Sequence, residues 1–376
     1  MDLPAIVLFG INIVTFTVDL GIFFAIFLIV SLTLNLEAGY TGVPNFGKAM
    51  FVAGGAAIAG SVSGRLAALL LGIDAGDYVN RIPIIINSLN SGLAKNPLLS
   101  IEILVLGIVL AAFIGAGLGY LASYPAIRLR EDYLGMLLLA SAQFFQIFLR
   151  SYPPLIGGVQ GLEIPDVFGW ANTGVGTRDV VILGVVGLFA LLVYLYVERM
   201  ARSPLGRALR AVRDNEMASR ALGKDDVAIR KKVIVIASAI SGMAGALLTF
   251  YVESIGPDTW SRQDWTFPFW VIVILGGAAN NSGVALGAFI YEFVLKVVDQ
   301  AKFLFKGLLP FDVSRLEFLA FSAILILVLA FKPAGLIPEK PSLTLDHNTV
   351  FALMQAKREE TTAQASDTPR NGEPDG

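Results

Sequence analysis

Few residues of this chain can make or break bonds. There is no Cys among its 376 residues, which removes disulfides, thiolate metal ligands and a thiol nucleophile. His347, the single His, lies in a polar C-terminal stretch, so metal or acid–base chemistry built on imidazole has no support. No Gly-x-x-x-x-Gly-Lys-Ser/Thr run occurs, so the sequence offers no P-loop for nucleotide hydrolysis. The run Gly276-Gly277-Ala278-Ala279-Asn280-Asn281-Ser282-Gly283 is rich in Gly but is not followed by Lys-Ser, and reads as a turn rather than a phosphate cradle.

The remaining candidates are charges set in apolar surroundings. Asp19, Glu37, Arg65, Glu102, Glu253, Glu292 and Asp299 fall within or beside long apolar stretches. A charge there is expensive, which makes it a default candidate for transport. Most of them lie near the expected ends of these stretches, within reach of water. Glu292 and Lys296 are four apart and share a helix face. The chain lacks the mid-membrane acidic series that a proton-coupled carrier needs. The densest charge is basic: Arg199, Arg202, Arg207, Arg210, Arg213, Arg220, Lys224, Arg230, Lys231 and Lys232 crowd into 199–232.

The elements that position these residues are apolar helices. The sequence is 55% hydrophobic and 15% charged, with a mean hydropathy of +0.70, where a soluble domain is typically about a quarter charged. Its apolar blocks, each long enough to cross roughly 30 Å of hydrocarbon, run near 4–18, 20–37, 46–71, 98–123, 133–150, 179–198, 233–253, 264–277, 283–304 and 316–332. This predicts an all-α, polytopic membrane bundle of about 8–10 transmembrane helices. Its 38 Gly suit close helix approach in lipid. The first apolar segment lacks the basic flank of a signal peptide and is expected to be retained. A net charge of −2 suggests no nucleic-acid partner.

Excess Lys and Arg mark the cytoplasmic side, so 199–232 is expected there. Counting crossings outward places Arg128-Leu129-Arg130 on that side too, with loops 73–97 and 151–178 outside. If every segment crosses, both termini are cytoplasmic. Ile82-Pro83-Ile84-Ile85-Ile86 in the first outer loop suggests an interfacial element. The division expected is a membrane domain over 1–340, with its cytoplasmic loop 199–232, and a polar cytoplasmic tail over 341–376 that is too poor in apolar residues to stay ordered. Gly39–Gly47 and Gly276–Gly283 are both glycine-rich breaks between apolar segments. They are either ordinary turns or the paired interruptions of a repeat around a translocation path.

Within the basic loop, Ser203-Pro204 is a helix-start signal. An Ala- and Arg-rich segment follows, Gly223 can stop it, and a second helix starts near Asp225-Asp226. Physics leaves two readings open for this helical pair: a basic element lying on anionic lipid, or a docking element for a protein.

Four blocks, in order and over roughly 17–338, resemble the inner-membrane permeases of branched-chain amino-acid ABC importers, the LivM-type subunit in particular. They are Leu34-Asn35-Leu36 with Gly39-Tyr40-Thr41-Gly42 and Phe46–Phe51; Arg128–Leu134; Gly206-Arg207-Ala208 with Arg213-Asp214-Asn215-Glu216 and Ala221-Leu222-Gly223; and Leu275-Gly276-Gly277, Gly283 and Gly287-Ala288 with Lys332–Leu336. Two departures stand out. Pro44-Asn45-Phe46-Gly47-Lys48 replaces the family's usual Ser-Leu-Gly-His run, and Gly157-Gly158-Val159-Gln160-Gly161 replaces a Gly-Gly-Ser-Asn-Gly loop.

The resemblance implies a plasma-membrane permease subunit that needs no cofactor. It would work with a second homologous permease, two cytoplasmic ABC ATPase subunits and an extracytoplasmic solute-binding protein. It further implies that Gly206, Arg207, Arg213, Asp214, Asn215, Glu216, Ala218, Ala221, Leu222 and Gly223 form the segment that couples to the ATPases. Leucine, isoleucine and valine are the solutes implied, with urea or short amides as the family's other option. A stand-alone secondary transporter is a further alternative. A membrane-bound enzyme lacks any convergent polar set. No substrate-binding residue can be assigned.

Overall fold

The computed structural model describes residues 7–8, 11–129, 131–174, 176–305, 315–339 and 355. The chain separates into two units, Met1–Glu339 and Lys340–Gly376. His347 and the tail expected to be disordered lie outside the described residues, as does Arg130.

The first unit is helical almost throughout. Two short strands, β1 (Val7–Leu8) and β2 (Ile11–Asn12), pair antiparallel and lead into α1 (Ile13–Leu34), whose last turns widen into a π-helix over Asn35–Tyr40. There follow α2 (Lys48–Leu70), α3 (Tyr78–Lys95), α4 (Pro97–Arg128), α5 (Glu131–Ser151), the single turn α6 (Pro153–Ile156) and α7 (Thr177–Arg202). Next come α8 (Pro204–Asp214), α9 (Glu216–Ala221), α10 (Asp226–Val252), the turn α11 (Arg262–Trp265), α12 (Phe267–Gly276), α13 (Asn281–Phe305) and α14 (Arg315–Phe331). Strands β3 (Leu162–Glu163) and β4 (Ser254–Ile255) tie two connecting loops together.

Among the described residues, 7 helices are long and apolar enough to cross a bilayer. Close backbone approach brings helices of the bundle together beside a core of large side chains such as Phe51, Phe250 and Phe269. A Cβ on Gly55 would strike the backbone of Gly242, one on Gly245 would strike Val52 O, and one on Gly115 would strike Ser238 O. Small residues thus let α10 lie directly on α2 and α4, which is how helices gain dispersion contacts in a solvent as apolar as they are.

Two expectations change. Segments 4–18 and 20–37 are not separate crossings: α1 starts at Ile13 and runs straight through Asp19. Asp19 does not break the helix because its carboxylate accepts from Tyr251 Oη at 2.6 Å and from Lys296 Nζ at 2.5 Å. Tyr251 sits at the end of α10 remote from 203–225. Ile13 therefore lies at the opposite end of the bundle from that loop. Finally, α12 has 10 residues, or about 15 Å, too short to span hydrocarbon alone.

The Ile82–Ile86 stretch lies in α3, which buries Tyr78, Ile82, Ile85, Leu89 and Leu93 along one stripe.

Candidate functional site

The expected coupling residues form one compact hairpin, and local caps define it. Ser203 Oγ accepts from Gly206 N at 3.4 Å, with Pro204 in the first turn of α8. The extended residue Asn215 ends α8 and caps α9 by accepting from Ala218 N at 2.9 Å. Gly223 takes φ +76°, and Lys224 N returns to Ser219 O at 3.1 Å. That left-handed closure favours Gly. Asp225 then caps α10 through Ala228 N at 2.9 Å. Gly206 fits because a Cβ there would collide with Ala201 O, so α8 folds tightly back on α7.

Charges fasten α9 to α10. Arg220 bridges Glu216 at 2.5 Å and Asp226 at 2.7 Å, and Arg230 reaches Glu216 at 3.1 Å. These pairs leave apolar side chains on and just after α9 uncovered: Met217 and Leu222 are each 80% exposed. Arg207, Asp214, Ala218, Ala221 and Gly223 are exposed beside them.

The inner side of the hairpin is wired into the bundle. Arg213 donates through Nη1 to Gly39 O at 2.7 Å, pairs through Nη2 with Glu339 at 3.0 Å and through Nε with Asp214 at 2.9 Å. Burial works against its charge, but the carboxylates of Asp214 and Glu339 outweigh it and hold the pKa above the ordinary arginine value. Leu209 of α8 packs with Leu36, Tyr40, Met200, Ala201, Val233 and Ala279 in a second small core. Arg210 lies 5.9 Å from the centre of the Tyr40 ring.

That core joins the hairpin to both glycine-rich breaks, which pack on each other. Asn35 Nδ2 donates to Asn281 Oδ1 at 2.9 Å, and Asn35 Oδ1 accepts from Ala279 N at 2.8 Å. Gly39 faces the same contact: a Cβ there would meet Ala279 N at 2.7 Å. Asn281 continues the chain of bonds to Glu198 at 2.8 Å. The Lys332–Leu336 block closes the second break, with Leu336 N on Leu275 O at 2.9 Å and Ile337 N on Gly276 O at 3.0 Å.

The first break holds a buried ion pair. Lys48 Nζ and Glu37 Oε2 are 2.6 Å apart and both side chains are 0% exposed. Asn45 Nδ2 donates to both Glu37 oxygens, at 3.0 and 3.1 Å; Lys48 also donates to Thr33 Oγ1 at 3.0 Å, and Thr33 meets Ser241 Oγ of α10 at 2.9 Å. Phe46 stacks on Trp270 of α12 with centroids 4.5 Å apart. Glu37 is therefore not a residue at a wet helix end, as its position in the sequence suggests. Its partner Lys48 was visible only as a departure from the family pattern, because the break between them hides their proximity.

The other charged candidates scatter. Lys296 turns to Asp19 on α1 rather than to Glu292, and Glu292 Oε1, in a residue 1% exposed, has no hydrogen-bond partner among the described residues. Glu253 pairs with Arg178, which also holds Asp166 at 3.1 Å. Burial foremost, and Asp166 next, push the Glu253 carboxyl above its usual range against the pull of Arg178. Glu102 is exposed.

A family model described as branched-chain amino acid transport system / permease component matches residues 16–330. The chain is 39% identical over 325 residues, 86% of its own length and 93% of the relative's, to a probable branched-chain amino acid transport permease protein LivM of Methanocaldococcus jannaschii. It is 29% and 27% identical over 259 residues to the high-affinity branched-chain amino acid transport system permease proteins LivM of Salmonella typhimurium and Escherichia coli. In both cases it spans 58% of the relative's length. No solved structure matches.

Proposed function

This chain belongs to the branched-chain amino acid transport permease family, and we propose that it is a membrane-spanning subunit of an ATP-driven importer that passes leucine, isoleucine and valine. The observation that carries the reading is the 203–225 hairpin. Its outer face presents Met217 and Leu222 without a partner, and its inner face is bonded to the helix break through Arg213. A basic element lying on lipid has no need of that second attachment. An element that transmits movement does.

The hairpin lies in the cytoplasm in this reading, where one of two ABC ATPase subunits docks on it. A second, homologous permease completes the path and an extracytoplasmic binding protein delivers the solute. The domain over 1–340 sits in the plasma membrane, with 341–376 a cytoplasmic tail, and α1 enters from the outer face. ATP binding closes the ATPases and shifts α8 and α9. Through Arg213 and the Leu209 core the shift reaches the two packed breaks, tilting α1 and α12 against α13. This chain holds and moves; the bond-breaking belongs to the ATPases.

The test is ATP-driven uptake by the complex assembled with partner ATPase, permease and binding-protein chains. Uptake of the aliphatic amino acids, with urea excluded, is the expected result. Uptake of urea alone would replace the solute, and uptake without any ATPase would overturn the importer.

A further inference from the structure

At the end of the bundle remote from the hairpin, a cavity of about 430 Å³ opens between the last turns of α2, the start of α3 and α6. Its size falls in the roughly 300–1,000 Å³ range of small-molecule sites. Arg65 forms part of the wall, and its surroundings are unusual. Nη1 donates to Ser61 O at 2.7 Å and to Ser61 Oγ, Nη2 donates to Pro154 O at 2.5 Å, and the guanidinium stands 5.3 Å from the centre of the Tyr78 ring.

All these acceptors are neutral. No carboxylate among the described residues pairs with Arg65, whereas Arg81, Arg150 and Arg178 on the same end each face one, Asp74, Asp258 and Asp166. The recorded bonds leave Nε and one Nη2 hydrogen for a further acceptor, and a guanidinium edge of that kind takes a carboxylate in two parallel bonds.

The remaining walls complement the rest of an amino acid. Val79, Pro153 and Pro154 supply apolar surface, and Asp77 supplies a carboxylate. Asn80 donates to Asp77 Oδ2 at 2.7 Å, leaving Oδ1 for another donor.

We propose that this cavity is an outer receiving site for an aliphatic amino acid, with the solute's carboxylate on Arg65, its ammonium toward Asp77 and its side chain against Val79, Pro153 and Pro154. The proposal takes its solute class and orientation from the importer reading above. An anionic lipid headgroup offers Arg65 the same chemistry, but Asp77 disfavours it and favours a zwitterion.

The experiment measures equilibrium binding of radiolabelled leucine to the full-length chain in phosphatidylcholine nanodiscs, alongside leucine uptake by the assembled transporter. Arg65→Met should weaken leucine binding at least tenfold, and Arg65→Lys should fall between the two. The wild type should prefer leucine to 4-methylpentanoate, which lacks the ammonium, and Asp77→Asn should erase that preference; this exposed variant serves if Arg65→Met does not fold. Unchanged leucine affinity in Arg65→Met, or no binding to the wild type, would overturn the site. Competition by phosphatidylglycerol that ignores the Asp77→Asn change would assign Arg65 to lipid phosphate and also overturn it. If the transporter imports leucine while Arg65→Met alters neither binding nor uptake, only the receiving site falls. If the wild-type transporter imports no aliphatic amino acid, the importer reading itself falls.

Discussion

Arg213, on a short helix outside the bundle, donates to the carbonyl of Gly39, in the widened last turn of α1, at 2.7 Å. The two residues are 174 apart in sequence, and the bond spans the joint between the hairpin and the helix break. Arg213→Ala should lower uptake at least tenfold while the subunit still inserts and assembles and the ATPases still hydrolyse ATP. Arg213→Lys should recover little, because a single ammonium cannot serve Gly39, Glu339 and Asp214 together. Uptake assayed beside hydrolysis separates lost coupling from lost assembly.

Lys48 and Glu37 yield a stability prediction of unusual sign. Removing one member of a buried pair strands the other, at about 3–5 kcal/mol. Lys48→Met and Glu37→Leu should each lower the Tm of the solubilised subunit strongly. The double variant Glu37→Leu/Lys48→Met should recover much of that loss, since an apolar pair of similar volume can match a buried ion pair. A double variant as unstable as the sum of the singles would contradict it.

Glycine positions divide by what surrounds them. Gly55→Val should prevent α2 from seating on α10, because its Cβ already meets the Gly242 backbone; folded yield in membranes is the readout. Gly184→Ala and Gly187→Ala on α7 meet nothing within 4 Å. They should be neutral, or stabilising by up to about 1 kcal/mol from helix propensity.

Exposed apolar residues on and just after α9 give the opposite pattern from a core. Met217→Glu and Leu222→Glu should leave Tm within about 0.5 kcal/mol equivalent, yet abolish uptake. Expression, melting and transport measured on the same preparations distinguish a docking surface from a structural one.

The hairpin was legible in the sequence because caps are local. Ser203, Asp225 and Gly223 act within a few residues of themselves, and each does in the structure what its type favours, whereas Asn215, which divides the first segment into α8 and α9, was not read as a cap. The breaks at 39–47 and 276–283 were legible as breaks but not as neighbours, since Asn35 and Asn281 are joined only by the tertiary fold. Glu37 with Lys48 was hidden for the same reason. Asp19 misled the count of crossings: a lone carboxylate in an apolar run reads as an end until Lys296 and Tyr251 are seen beside it. Arg65 looked like another snorkelling span-end charge, and only the packing of Pro154 and Tyr78 shows what surrounds it.

The absence of Cys allows the most direct test of the central claim, that the α8–α9 hairpin is the surface on which the ATPases act. Leu222→Cys introduces a unique thiol into this chain, and Leu98→Cys, at an exposed site on the other end of the bundle, serves as control. Labelling by a membrane-impermeant maleimide is measured on the solubilised subunit before and after the ATPase chains are added. The account predicts that labelling at 222 falls at least tenfold once the ATPases bind, while labelling at 98 is unchanged. Full labelling at 222 in a complex that carries its ATPases would contradict it.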